Sequence, residues 1–307
     1  MSLDMRDAFF DEVYVIACKD KQVMLLTADM SAHSIERFKT DLPNQFINTG
    51  ISEQNTISVA AGLALSGKKV FVYSIIPFIT MRCYEQIKID LRSMNLPVTI
   101  VGVGAGFSYA GDGPTHYAVQ DIALMRILPK MKILNPSDAY LSKKCVGIAY
   151  ESDTPVYVRL DKERLDVIHA DGIDYSKGYC NFGYDQNLMI ISTGIMIQKV
   201  LTVVGELKKY NISAIVIELY QIKPITQEFV DMVLSADRIV TIEENNLTGG
   251  LGSLISEIIC DNNVYIPLKR LAIEDVECFE VGDRNKLQQH FGLDVNTLVK
   301  KIVNWIH

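Results

Sequence analysis

No two cysteines in this sequence are spaced as a Cys-x-x-Cys pair, no apolar stretch approaches a membrane span, and no dense Lys/Arg stripe offsets the formal charge of −7. Each absence removes a class of function. The six cysteines (18, 83, 145, 180, 260 and 278) are scattered, which argues against a disulfide framework or a zinc site and for buried thiols in a reducing compartment. Without an uninterrupted apolar run of about 20 residues, a spanning helix is not expected. Without a basic footprint, nucleic acid is not an expected partner. The N-terminal residues Met1 to Ala8 carry acids where a signal peptide would be basic, so the expected location is the cytoplasm. Glycines 102, 104 and 106 miss the Gly-x-Gly-x-x-Gly spacing, so a dinucleotide-binding turn is not supported.

Short β-branched apolar runs alternate with longer helical stretches. Strands are expected at Val23–Thr27, Lys69–Tyr73, Val98–Val103, Met131–Leu134 and Val156–Arg159. Helices are expected at Met5–Cys18, Glu53–Ser66, Arg82–Leu91 and Val119–Leu128, and from the turn at Asn135–Asp138 through Tyr150. Continuous apolar strands separated by helices predict parallel sheets covered on both faces. The periodicity fades between Arg164 and Asn187, then alternation resumes from Leu188 to Trp305. The expected fold class is α/β, with two parallel-sheet domains: residues 1–165, a linker 166–187, and residues 188–307.

Three stretches carry more specification than a scaffold needs. In Asn48–Gln54, a lone acid, Glu53, opens an otherwise small and apolar helix, where the positive helix end favours a carboxylate. From composition alone, an N-terminal capping acid with Ser52 as the cap is the favoured reading. In Gly111–His116, two glycines and a proline restrict a loop that presents Asp112 and His116. In Thr241–Gly252, an acidic strand end runs into a Gly-rich turn and a helix. That turn could bind an anion, but Glu243 and Glu244 would repel one, which favours close packing instead.

Taken in this order, with Phe78 to Gln86 added, these stretches resemble the C-terminal half of the transketolase family, over roughly Lys21 to Ile306. In particular, the chain resembles the separate C-terminal subunit of transketolases split into two polypeptides. The resemblance implies a pyrimidine-binding domain followed by a transketolase C-terminal domain, and thiamine diphosphate as cofactor. It also implies Mg2+ and diphosphate ligands supplied by a separate N-terminal subunit. Gly111–Gly113 is not the family's Mg2+ signature, because only Asn135 follows where an Asn-Asn pair is required. By resemblance, Glu53 hydrogen-bonds the aminopyrimidine and Phe78 stacks on it, while Ile75 stands where a second aromatic is usual. Asp112 and His116 match contacts to sugar hydroxyls, His116 with a part in proton movement. Arg159 matches a phosphate-binding position, Asp29 a loop acid, and His33 falls near a phosphate-binding serine, with Ser34 adjacent. Glu244-Asn245 replaces a usual acid-plus-histidine pairing, which weakens any expectation that the C-terminal domain touches substrate.

The function implied is transfer of a two-carbon ketol unit between sugar phosphates, in a complex with two copies of each chain. Three alternatives stay open: a deoxyxylulose-phosphate-synthase-like enzyme, a 2-oxo acid dehydrogenase beta-subunit-like enzyme, and a non-catalytic structural paralogue. Asp112 and His116 suit sugar hydroxyls better than a 2-oxo acid. A synthase would ordinarily join both halves in one chain.

Overall fold

A computed structural model describes residues 2–183 and 188–307. Residues 184–187 of the expected linker lie outside them. The chain forms two compact units, one of residues up to Ala105 together with Leu124–Ile173, the other of Gly106–Ala123 and Asp174–His307. The segment bearing Asp112 and His116 thus groups with the later residues, although it lies within the stretch 1–165. Both units are α/β with mostly parallel sheets. Among the described residues no helix is long and apolar enough to cross a membrane.

The first unit begins with β1 (Ser2–Asp4) and α1 (Met5–Lys19). Asp4 caps α1 by accepting from the backbone N–H groups of Arg6 and Asp7 at 2.9 and 3.1 Å. Met5, Phe9, Phe10, Val13 and Ala17 recur at helical spacing and are buried. The Phe10 ring meets Tyr73 edge-on at 4.7 Å. Truncating such a buried aromatic costs about 3–5 kcal/mol. There follow β2 (Val23–Thr27), α2 (His33–Asp41), β3 (Phe46–Asn48), α3 (Glu53–Leu65) and β4 (Lys69–Ile75). Next come α4 (Ile76–Ile79), α5 (Tyr84–Gln86) with a π-helical turn at Ile87–Ser93, and β5 (Thr99–Val103). The remainder is α6 (Asp121–Ile127, in this unit from Leu124), β6 (Lys132–Leu134), α7 (Ala139–Tyr150), β7 (Val156–Leu160) and β8 (Arg164–Asp166), the last antiparallel to β1.

Within this unit the parallel strands lie in the order β6-β7-β5-β4-β2-β3. Every residue of β2, β5 and β7 is buried, which is why they read as continuous apolar runs. The chain turns from one side of β2 to the other between β3 and β4, so the carboxyl ends of β2 and β4 flank the point where open α/β sheets admit ligands. Gly102 in β5 makes room for α4. A side-chain carbon at that position would stand 2.6 Å from the Ile76 side chain, so the glycine lets α4 lie close on the strand.

In the second unit the sheet order is β14-β13-β10-β11-β9, for β9 (Tyr179–Phe182), β10 (Met189–Ser192), β11 (Ile215–Leu219), β13 (Ile239–Asn246) and β14 (Leu268–Ile273). All neighbours are parallel except β9 with β11. The other elements are α8 (Met196–Leu207), the short β12 (Gln221–Lys223), α9 (Gln227–Leu234), α10 (Leu251–Asp261), α11 (Arg284–His290) and α12 (Val295–Ile306). Helix α12 packs on α8 and buries Leu298, Val299 and Ile302.

Candidate active site

In the first unit, most of the singled-out residues follow the carboxyl ends of parallel strands. Asp29 comes just after β2, in a left-handed conformation (φ 53°). Its N–H donates to the Asn48 side-chain oxygen at 3.1 Å, and the same oxygen accepts from Gly50 N–H at 3.0 Å. The loops after β2 and β3 are further tied where the Thr49 N–H and hydroxyl both donate to the Thr27 carbonyl, at 2.9 and 3.1 Å. This lacing fixes the entry to α3.

Glu53 is the first residue of α3 and is 4% exposed. Ser52 does not cap the helix with its side chain. Its hydroxyl donates instead to the Thr49 carbonyl at 2.8 Å, which corrects the capping expectation. The Glu53 carboxylate accepts a 2.9 Å hydrogen bond from Arg82. The guanidinium carbon of Arg82 lies 4.3 Å above the Phe78 ring, within cation–π range. Glu53, Phe78 and Arg82 therefore form one cluster. Ile75 ends β4, and both it and Phe78 are half-buried. Cys83 lies beneath. Burial, reinforced by the Glu53 charge, pushes its thiol up to about 12 despite the opposing pull of Arg82.

The remaining expected residues of this unit lie on other elements. His33 opens α2 and is exposed, whereas Ser34 is buried and donates to the Asp7 carbonyl at 3.1 Å. Arg159 is a buried residue of β7, paired in register with Gly102. Two strands separate β7 from β2. At about 4.8 Å per strand that is roughly 14 Å between the two strand backbones.

Asp112 and His116 belong to the second unit. Asp112 is exposed and His116 half-buried. The Asp112 N–H donates to the Tyr109 carbonyl at 2.9 Å, Gly113 takes φ 82°, and Pro114–His116 forms one 3-10 turn. The His116 ring pairs with the Thr115 hydroxyl through Nδ1 at 3.0 Å and lies 5.8 Å from the Tyr109 ring. Buried Tyr117 closes the loop, its hydroxyl donating to the carbonyls of Ala110 and Glu280. An imidazole and a carboxyl group on a loop this restrained can address hydroxyl groups without a large ordering cost.

The acidic end of β13 has a role the sequence did not disclose. Glu243 accepts from the N–H groups of Leu251 and Gly252, both at 2.7 Å. The anion at the start of α10 is therefore supplied by the chain itself. Arg82 was also missed. Its only signal was one basic residue a helical turn beyond Phe78.

Comparison with known proteins identifies two successive domains along the sequence. The family model described as the pyrimidine binding domain of transketolase matches residues 1–167, and the model of the transketolase C-terminal domain matches residues 184–298. The chain is 33% identical over 305 residues to one of the subunits of an apulose-4-phosphate transketolase from Phocaeicola vulgatus, covering 98% of this chain and 97% of that one. It is also 33% identical over 303 residues to a putative transketolase C-terminal section from Methanocaldococcus jannaschii, covering 97% and 95%. A solved structure described as a split gene transketolase, inactive beta4 tetramer, superposes with a TM-score of 0.86 at 29% identity, covering 98% of this chain and 97% of that one.

Proposed function

The chain belongs to the transketolase family, and we propose on that footing that it is the C-terminal subunit of a two-chain, thiamine-diphosphate-dependent enzyme. It is a transketolase-type transferase subunit acting as part of a complex, moving a two-carbon ketol unit between sugar phosphates. The observation that carries the cofactor reading is the buried Glu53 carboxylate grouped with Phe78 beyond the carboxyl ends of parallel strands.

The donor set fits the aminopyrimidine end of that cofactor. A buried carboxylate suits a ring nitrogen that shares a proton with it, and a flat aromatic ring suits the face of a planar heterocycle. Glu53 would hold the ring nitrogen and manage its proton, Phe78 would stack, and Ile75 would add an aliphatic wall. When bound, thiamine diphosphate supplies the carbon nucleophile that receives and releases the ketol unit. The diphosphate and Mg2+ ligands fall to the N-terminal subunit in this reading. Asp112 and His116 would bind sugar hydroxyls, with His116 placed to move a proton at a substrate oxygen. Arg159 would meet a phosphate through its fork of donors, with His33 and Asp29 lining the same carboxyl edge of the sheet. The assembly would contain two copies of each chain with closed symmetry. Six free cysteines support a reducing, cytoplasmic setting.

Native mass spectrometry of the complex from its own host tests this reading, paired with a ketol-transfer assay. A second chain of similar size, with turnover that requires both chains and thiamine diphosphate, is the expected result. A complex of this chain alone, or a two-chain complex without turnover, overturns it in favour of a structural paralogue.

A further inference from the structure

The loop that carries Asp112 and His116 is held at its neck by three consecutive residues of β13. Glu244 is 5% exposed, and its carboxylate accepts from the Phe107 N–H at 3.2 Å. Asn245, 1% exposed, donates from its side chain to Asp121 at 3.2 Å. The Asn246 N–H donates to the Val119 carbonyl at 2.7 Å. Between these points Gly106 and Ala118 pair as an antiparallel bridge, with both hydrogen bonds at 3.0 Å. The outgoing and returning limbs of the loop are therefore both fastened to one strand end.

The grip on Phe107 is close and electrically balanced. At Gly106 (φ 57°) a side-chain carbon would lie 1.9 Å from a Glu244 oxygen, so the residue there must be glycine for the carboxylate to reach Phe107. Arg284 donates to both Glu244 oxygens from its Nε at 3.1 Å, and Gln288 donates as well. This neutralises a carboxylate that would be costly to bury alone. The Phe107 ring stacks on Phe291 at 5.4 Å and meets Tyr117 edge-on at 5.2 Å, so the fixed backbone also fixes the aromatic floor of the loop.

We propose that Glu244 and Asn245 are positioning residues for substrate recognition: they set the register of the Asp112–His116 loop and thereby the binding of the donor sugar's hydroxyl groups. This inference rests on the functional reading above. It gives the C-terminal domain a part in recognition that needs no contact with substrate, and it offers a use for Glu244-Asn245 where the family more often has an acid and a histidine. Mid-loop anchors exist too, such as the Gly282 N–H bond to the Ala110 carbonyl at 3.0 Å, so loss of one clamp should loosen the loop rather than unfold the unit.

The test uses the assembled two-chain enzyme with Asn245→Ala, Glu244→Ala and the conservative Glu244→Gln. Hydrogen exchange is read on amides 107–118, with those of β10 as the internal reference. Kinetics are read with two donors: a ketose 5-phosphate, and 3-hydroxypyruvate, which has no hydroxyl group beyond the transferred unit. Loss of a buried hydrogen bond predicts loop exchange and ketose-phosphate KM each raised about tenfold in both alanine variants. Hydroxypyruvate KM should stay within about twofold, and Glu244→Gln should recover most of the loss, since its amide oxygen can still accept from Phe107. Unchanged loop exchange in the folded variants overturns the clamp. Equal losses with both donors overturn its role in hydroxyl recognition. If wild-type enzyme transfers from neither donor, the functional reading fails, and the exchange arm still decides whether the clamp exists.

Discussion

Arg82 donates a 2.9 Å hydrogen bond to Glu53, joining a guanidinium 45% exposed to a carboxylate 5% exposed. The pair is asymmetric: Arg82 can swing into solvent, whereas Glu53 is fixed at the first turn of α3. Arg82→Ala would leave that buried carboxylate without its partner, so it should cost about 1–3 kcal/mol in a denaturant titration, the half-exposed position of Arg82 letting water offset part of the loss. Glu53→Gln keeps the shape and should leave thermal unfolding nearly unmoved. It should lower ketol transfer by the assembled enzyme by about 10^2- to 10^4-fold, the usual weight of a proton-managing group. Near-normal turnover of Glu53→Gln would remove Glu53 from the proposed role.

The strands were legible because burial on both faces demands unbroken apolar runs. Val23–Thr27 reads as a strand from its residues alone and folds as one. Helix α2 was missed because only Ser34, Ile35 and Phe38 of its nine residues are buried and Ala32 gives no side-chain cap. Helix α11 was missed for a similar reason: its seven residues are mostly polar, and its buried Arg284 and Gln288 serve a carboxylate 40 and 44 residues earlier. The helix expected over Arg82–Leu91 is instead a short α-turn leading into a π-helical one, which 3.6-residue periodicity does not detect. Glu53 stood out by type and place, whereas Phe78 was marked only by the family resemblance. The clamp from Glu244 to Phe107 did not, because its partners lie 137 residues apart and meet only through tertiary folding.

Glu243 takes two N–H groups at the start of α10 through separate carboxylate oxygens, at 2.7 Å each. These donors have no intrahelical partners, and the helix end favours a negative charge. Glu243→Ala should therefore destabilise the protein by about 1–3 kcal/mol, read as a lower urea midpoint. Glu243→Gln, which leaves one oxygen acceptor, should fall between. An alanine variant as stable as wild type would show that water satisfies α10 equally well.

Cys83 and the two exposed cysteines should differ in reactivity. Burial, with the Glu53 charge, raises the Cys83 thiol to about 12, so its thiolate is scarce at pH 8. Cys18 and Cys260 are exposed. With iodoacetamide at pH 8, mass mapping should find Cys18 and Cys260 modified first and Cys83 only on unfolding. In Glu53→Gln the Cys83 peptide should label somewhat sooner, because one of the two effects that raise its thiol is gone. Rapid labelling of Cys83 in the native protein would contradict the buried environment described for it.

Asp138 and His169 form a buried pair whose acid sensitivity can be given a sign. One Asp138 oxygen caps α7 through the Leu141 N–H at 2.8 Å. The other accepts from the Ile168 and His169 N–H groups at 2.7 and 3.0 Å and pairs with His169 Nδ1 at 2.9 Å. Burial pushes this carboxyl up, but His169 and the backbone donors outweigh it and hold it below its ordinary value. A carboxyl depressed on folding adds stability that is fully present above its unfolded value of about 4 and is lost as pH falls through the folded value. Asp138→Asn removes that contribution and sets an amide N–H against backbone donors. At pH 7 its urea midpoint should correspond to a loss of roughly 1–3 kcal/mol. The gap from wild type should hold between pH 7 and 5 and narrow below about pH 4. A gap that stays constant down to pH 3 would mean that the charge on Asp138 contributes nothing and that only the shape of the cap matters.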